Sequence, residues 1–154
     1  MIEKICQWLA ALLPSFTIAK DGLKYLTRYY VFLKDRRWAN IFLHHFHRSD
    51  MDMGADGYGL LHSHPWGGLS FILIGGYKEE KRNADGTISV KIVKPFTFNF
   101  ISRSTFHRVD LLDENKGAWS LFFTGPRSKE SEWYFWDRVL NKTIFWREVE
   151  GAIE

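Results

Sequence analysis

Two histidines one residue apart, His62 and His64, stand in Leu61-His62-Ser63-His64-Pro65-Trp66. A third, His107, lies further on in Ser104-Thr105-Phe106-His107-Arg108-Val109. Side chains two apart on a β-strand point to one face, so a strand through 61–64 aims two imidazoles at one point. A neighbouring strand bearing His107 adds a third neutral nitrogen. Three such ligands suit a divalent transition metal and leave positions open for substrate or oxygen. Because the ligands are neutral, the ion keeps its full 2+ charge, which favours an anionic chelating substrate or a thiolate. Fe(II) in such a site suits oxygen chemistry; Zn(II) would instead acidify a bound water.

Other residues fall around this constellation. His44, His45 and His47 crowd one strand, where alternation sets His44 with Phe42 and Phe46, and His45 and His47 with Ile41 and Leu43. One of them can orient a ligand imidazole or donate to substrate. Arg103 shares the parity of His107, so an unbroken strand points it inward as an anchor for a carboxylate or phosphate. Arg108 has the opposite parity and faces out. Tyr77 can hydrogen-bond inside a cavity, and Trp66 can wall it. Asp50-Met51-Asp52-Met53-Gly54-Ala55-Asp56-Gly57 looks superficially like a calcium loop, but its twelfth place is Leu61, where a bidentate Glu is needed. Turn chemistry explains it better. Glu80 and Arg82 read as a solvated face.

These side chains need strands to hold them. Ile2, Ile5, Cys6, Leu9, Leu12 and Leu13 recur at helical spacing before Pro14, which predicts an amphipathic helix over 2–13. From Thr27 the period changes. Residues 28–33 and 40–47 read as strands joined by a charged turn around Asp35 and Arg36. Residues 69–80 and 87–93 read as a hairpin around Asn83-Ala84-Asp85-Gly86. Short strands follow over 95–101, 106–112, 118–124 and 132–136, and residues 137–154 form a helical or irregular tail. With no alternating helices and no repeat or linker, the pattern predicts one all-β domain over 1–154, its barrel or sandwich spanning about 27–136.

Composition agrees. At 154 residues the chain can bury a substantial core, and its 17% aromatic content favours strands and a filled β interior. The net charge of +3 comes from 21 basic and 18 acidic residues, mixed along the chain, so a phosphate-tracking nucleic-acid surface is not indicated. Cys6 is the only cysteine. It reads as packing rather than as a nucleophile, and excludes an intrachain disulfide, in keeping with a reducing cytoplasm. The N-terminal apolar stretch makes a poor signal peptide and is too short to span a bilayer.

The order of the motifs resembles the cupin family, in which a His-x-His strand is followed by an acidic ligand, then an apolar strand closing in glycine, then a second motif with one more histidine. His62 and His64 match the pair, Gly75 or Gly76 the closing glycine, and His107 the later histidine. The acidic position falls near Gly68 or Leu69, which cannot bind metal, and Ser102 and Ser104 stand where the second motif usually has proline and glycine. The resemblance therefore implies a cupin jelly-roll barrel with a three-histidine site, unless Glu79 or Glu80 reaches in. A three-histidine iron site is similar to that of the thiol dioxygenases. His64-Pro65-Trp66 and Trp119…Thr124-Gly125-Pro126 also look like a group of small phage and bacterial cupins. By its place before Arg48-Ser49-Asp50, the resemblance implies that His44 orients a ligand imidazole or donates to substrate, with Glu79 and Trp66 also beside the ligands.

The expected function is thus a metal-dependent enzyme, an Fe(II) oxygenase acting on a small, anionic or thiol molecule. The alternatives are a non-oxidative isomerase or lyase using Zn, Mn or Ni, and a metal-free binding or assembly module. The apolar helix stripe and exposed barrel edges imply a homodimer.

Overall fold

The computed structural model describes residues 1–32, 39–54, 57–128 and 132–149. The expected turn at Asp35 and Arg36, the loop residues Ala55 and Asp56, and the last five residues lie outside these. One helix, α1 (Ile2–Leu12), precedes twelve strands. They are β1 (Ser15–Lys20), β2 (Leu23–Tyr30), β3 (Asn40–Phe46), β4 (Leu61–His62), β5 (Gly68–Ile74) and β6 (Tyr77–Arg82). Then come β7 (Ile88–Val93), β8 (Phe98–Ile101), β9 (His107–Leu111), β10 (Ala118–Thr124), β11 (Tyr134–Asp137) and β12 (Lys142–Phe145), with a 3-10 turn at Trp146–Glu148.

Two six-stranded antiparallel sheets face one another. The first runs β1-β2-β3-β10-β5-β8 and the second β12-β11-β4-β9-β6-β7. Consecutive strands are repeatedly split between the sheets, as in a jelly roll. The core joins them: Ile72 of the first sheet packs with Tyr77, Val93 and Val109 of the second. A second cluster, Phe42, Trp66, Ile101 and Phe122, lies nearer the histidines.

The outer face of the first sheet is covered by α1, whose Cys6 packs on Leu43 and Trp119 with Ile2 and Leu9 beside it. β3 is therefore buried on both faces, which accounts for its apolar run. Its alternation holds: Phe42 and His44 face the interior and Leu43 the helix, while His45 stacks on Trp119 at 4.0 Å between ring centroids. The opposite side of α1 leaves Ile5, Trp8 and Leu12 exposed.

Three expectations about elements need correction. Strands begin at Ser15, not Thr27, because β1 and β2 form a hairpin about Asp21 and Gly22, both with positive φ. β1 is a half-exposed edge strand with a register shift at Ile18, so it carries little apolar signal. The run 69–80 is two strands, broken at Gly75 and Gly76. A Cβ on Gly75 would lie 2.3 Å from the Gly117 carbonyl oxygen, and its φ of 74° also favours glycine. Finally, residues 142–145 extend the second sheet instead of forming a helical tail, pairing with β11 through a turn that ends at Asn141, whose φ is 47°.

Candidate metal centre

β4 is only two residues long, so His62 is in a strand and His64 lies just beyond it. His62 pairs directly with His107 of β9. The Ser63 amide still donates to the Tyr134 carbonyl, and the residue before a proline is held extended. His64 thus keeps the direction that strand geometry would give it, although Pro65 ends the ladder. The three side chains each offer a nitrogen, all within 4.8 Å of one another. His64 Nε2 and His107 Nε2 are 2.9 Å apart. Metal–nitrogen bonds of about 2.0–2.1 Å would set neighbouring ligand nitrogens roughly 3 Å apart, so the His64–His107 pair already stands at ligand spacing, and the set as a whole would close further around an ion.

Two carboxylates aim these rings. Glu79 Oε1 takes His107 Nδ1 at 2.8 Å, while its Oε2 accepts from Asn99 Nδ2 at 2.9 Å and faces Lys81 Nζ at 3.2 Å. Both oxygens are engaged and the side chain is wholly buried, so Glu79 orients a ligand instead of joining the ligand set. Asp50 stands beside His62, its Oδ2 lying 3.3 Å from Nδ1 and accepting the Val109 amide at 2.7 Å. Tyr25 bonds its other oxygen. With Nδ1 committed to Glu79, His107 is left to present Nε2 to the centre, and the Asp50 carboxylate favours the same orientation for His62. His64 differs, since its Nδ1 is buried with no partner.

Burial above all drives the His62 imidazole down to about 4; Asp50 opposes this, while His107, Arg108 and Arg28 add to it. Burial and the neighbouring histidines hold His64 well below its ordinary range. Both are therefore neutral near pH 7, the form that binds metal. Burial would raise the Glu79 carboxyl, but His107, Lys81 and Asn99 prevail and keep it below its ordinary value, as an anion. Three converging imidazoles, two of them neutral near pH 7, fit a divalent transition metal.

The centre opens onto a cavity of about 430 Å³ between the sheets. Tyr77, Trp66 and His44 line it with the three ligands, as do Trp133, Phe122 and Arg28. Trp133 stands edge-on to His64 at 4.7 Å and to Trp66 at 5.2 Å. The Tyr77 hydroxyl accepts from Asn99 Nδ2 at 3.3 Å.

Arg103 is not brought to the cavity. β8 ends at Ile101, and Ser102 to Thr105 form a tight turn in which the Thr105 amide donates to the Ser102 carbonyl. The parity argument fails because no strand connects Arg103 to His107, and Arg103 is exposed on an outer groove with Gly67 and Phe100. Arg28 is the buried interior arginine instead. Glu80 does not reach in either, because it is held by Lys78 and Arg138. Arg108, expected outside, is partly buried and donates to the Asp52 carbonyl. Sequence reasoning missed Arg28, Asp50 and Trp133, since none has a spacing that ties it to the histidines.

No protein-family profile matches the chain, and no curated protein does. Among solved structures, the Fe(II) form of HppE superposes with a TM-score of 0.55 at 12% identity, covering 73% of this chain and 56% of that one. A cupin-2 domain protein from Rhodospirillum rubrum gives 0.53 at 15%, covering 76% and 72%. Oxalate decarboxylase from Bacillus subtilis gives 0.53 at 13%, covering 76% of this chain but 30% of its own. The chain thus spans about half the length of HppE. At such identities the likeness lies in the backbone, and with the two antiparallel sheets and the ordered histidines it establishes that this chain has the cupin fold.

Proposed function

We propose that the chain is a metal-dependent enzyme acting on a small molecule at His62, His64 and His107, with Fe(II) as the metal and oxygen as co-substrate. The observation that carries this reading is the convergence of three imidazoles on the wall of a cavity large enough for a ligand. A divalent metal held there would supply a redox or Lewis-acid centre with open positions.

The chain's own residues set the conditions for that chemistry. Glu79 and Asp50 fix two ligand rings, so little ordering is needed when metal arrives. Trp66, Trp133 and Phe122 keep the space beside the ligands apolar and exclude bulk water. Burial, then Glu79, push the Tyr77 phenol well above its ordinary range, so it keeps its proton and can donate it in a hydrogen bond to substrate. His44 serves the same space from the opposite sheet. A homodimer joined through the exposed side of α1 and a cytoplasmic setting complete the reading. Among the described residues no helix is long and apolar enough to cross a membrane.

The test is metal analysis of protein purified without oxygen, followed by oxygen-consumption assays on thiols and small acids. Stoichiometric iron with oxygen uptake is the expected result. Zn, Mn or Ni without uptake would select a non-oxidative isomerase or lyase, and absence of any metal would overturn the enzyme reading in favour of a binding or assembly module.

A further inference from the structure

The outer face of the first sheet is only partly covered by α1. On β5, β8 and β10 the outward positions hold Leu, Phe and Trp alone, with no charged or polar side chain. α1 packs on Leu73, Trp119 and Leu121 at one end of that face. At the other end an open groove of about 520 Å³ is floored by Leu69, Phe100 and Phe123. Phe98 extends it, its ring 4.7 Å from that of Phe71. On β8 the usual pattern is inverted, since Asn99 is buried while Phe98 and Phe100 are 60% and 66% exposed. The solvent face of an antiparallel sheet is ordinarily polar, so this one is built to be covered.

α1 has the matching defect. Ile2, Cys6 and Leu9 pack toward the sheet, yet Ile5, Trp8 and Leu12 are 50%, 62% and 64% exposed. A helix apolar on both sides belongs between two layers. The sheet thus lacks a helix beside the place where the helix lacks a sheet.

A second copy of the chain supplies both. A helix with its side chains is about 10–12 Å thick, so α1 forms a ridge beside a step of its own height. Turned about a two-fold axis, each copy lowers its ridge into the other's step. A flat lipid surface would rest on the ridge and leave Phe98 and Phe100 uncovered. The area agrees. At about 200 Å² for a large side chain, the exposed parts of Ile5, Trp8, Leu12, Phe98, Phe100 and Phe123 amount to roughly 700 Å². That exceeds the largest apolar patch of a typical monomer, about 300–600 Å², and approaches the ~800 Å² that each partner gives to a standard interface.

We propose that two copies pair through this face, with Ile5, Trp8 and Leu12 of each α1 seated on Phe98, Phe100 and Phe123 of the other copy. The proposal rests on the homodimer reading and adds to it the surface that receives the helix.

Sedimentation equilibrium of the full-length protein, at tens of micromolar and on dilution, measures the dimer dissociation constant. Trp8→Lys and Phe100→Glu should each weaken the dimer at least about 30-fold, the effect of losing a central contact. Mixed in equal amounts, the two variants should pair again. The introduced charges then attract at one helix–sheet contact, and the other contact stays native. In a half-labelled wild-type sample, isotope-filtered NOEs should link the Trp8 indole of one copy to the Phe100 ring of the other. A wild-type dimer that Phe100→Glu leaves intact, whose variants fail to pair on mixing, or that shows no such NOE overturns the seating while the homodimer reading stands. A wild-type monomer overturns both, and its sedimentation with phosphatidylcholine–phosphatidylglycerol vesicles would assign the face to lipid. Should a variant fail to fold by circular dichroism, the wild-type NOEs decide.

Discussion

The two walls of the cavity are built on opposite principles. On the second sheet, Asp50 and Glu79 hold two of the three ligand histidines, and the Glu79 oxygens are shared among His107, Asn99 and Lys81. Across the cavity, His44 of the first sheet keeps a buried nitrogen without a partner, as does Trp66 in the loop between β4 and β5. A satisfied polar network fixes ring positions before anything binds, whereas unsatisfied atoms at the same depth lower stability until a ligand arrives. The histidine wall is thus held by its own polar network except at His64 Nδ1, whereas the facing wall leaves His44 Nε2 unpaired.

Removing a ligand breaks the holding wall most severely. His107→Ala should strip most bound metal, measured by elemental analysis, while far-UV circular dichroism stays that of a β protein. Retention of stoichiometric metal after replacing all three histidines would place the metal elsewhere. Glu79→Gln tests whether the support matters as well as the ligands. It leaves Lys81 beside a neutral amide and weakens the acceptor for His107, so metal affinity should fall roughly 10- to 100-fold in a chelator competition. If affinity is unchanged, the pre-aimed geometry has no energetic weight.

Acid acts on both walls and on the face beneath α1. His62 and His45 are lowered from 6.5 to about 4, and His44 and His64 well below 6.5, each chiefly by burial. The unfolded chain therefore binds protons first as pH falls. The stability tied to these neutral rings is full above about 6.5 and is lost progressively toward about 4. Melting temperature of the metal-free protein should drop over that window, and a flat profile from pH 7 to 5 would contradict their burial as neutral groups. The smallest effect is expected at Arg103. Arg103→Ala should change stability by no more than about 0.5 kcal/mol and leave metal content unaltered, because the side chain sits on the outer groove. A loss of metal there would restore it to the site.

The histidines were legible in the sequence because spacing alone puts His62 and His64 on one side, and the interval of several short strands that follows allows His107 to return beside them. The glycine pair was legible for a similar reason, since it marks where a long apolar run must break. Arg28 and Asp50 were not. Each reaches the cavity through pairings distant in the chain, Arg28 by lying opposite His44 and Asp50 by capping Val109 from a loop. Arg103 shows the converse error, where a parity rule was carried across a turn.

By itself, the order of residues determined the all-β class, the helix before the first strand, and which three side chains could share an ion. These follow from local periodicity, which depends on near neighbours only. Only the tertiary structure decided that Glu79 supports His107 instead of binding metal, that the cavity's buried arginine is Arg28, and that the tail after Asp137 returns as a strand. Those outcomes depend on sheet register and on how the two sheets face each other, which long-range packing sets and no local pattern encodes.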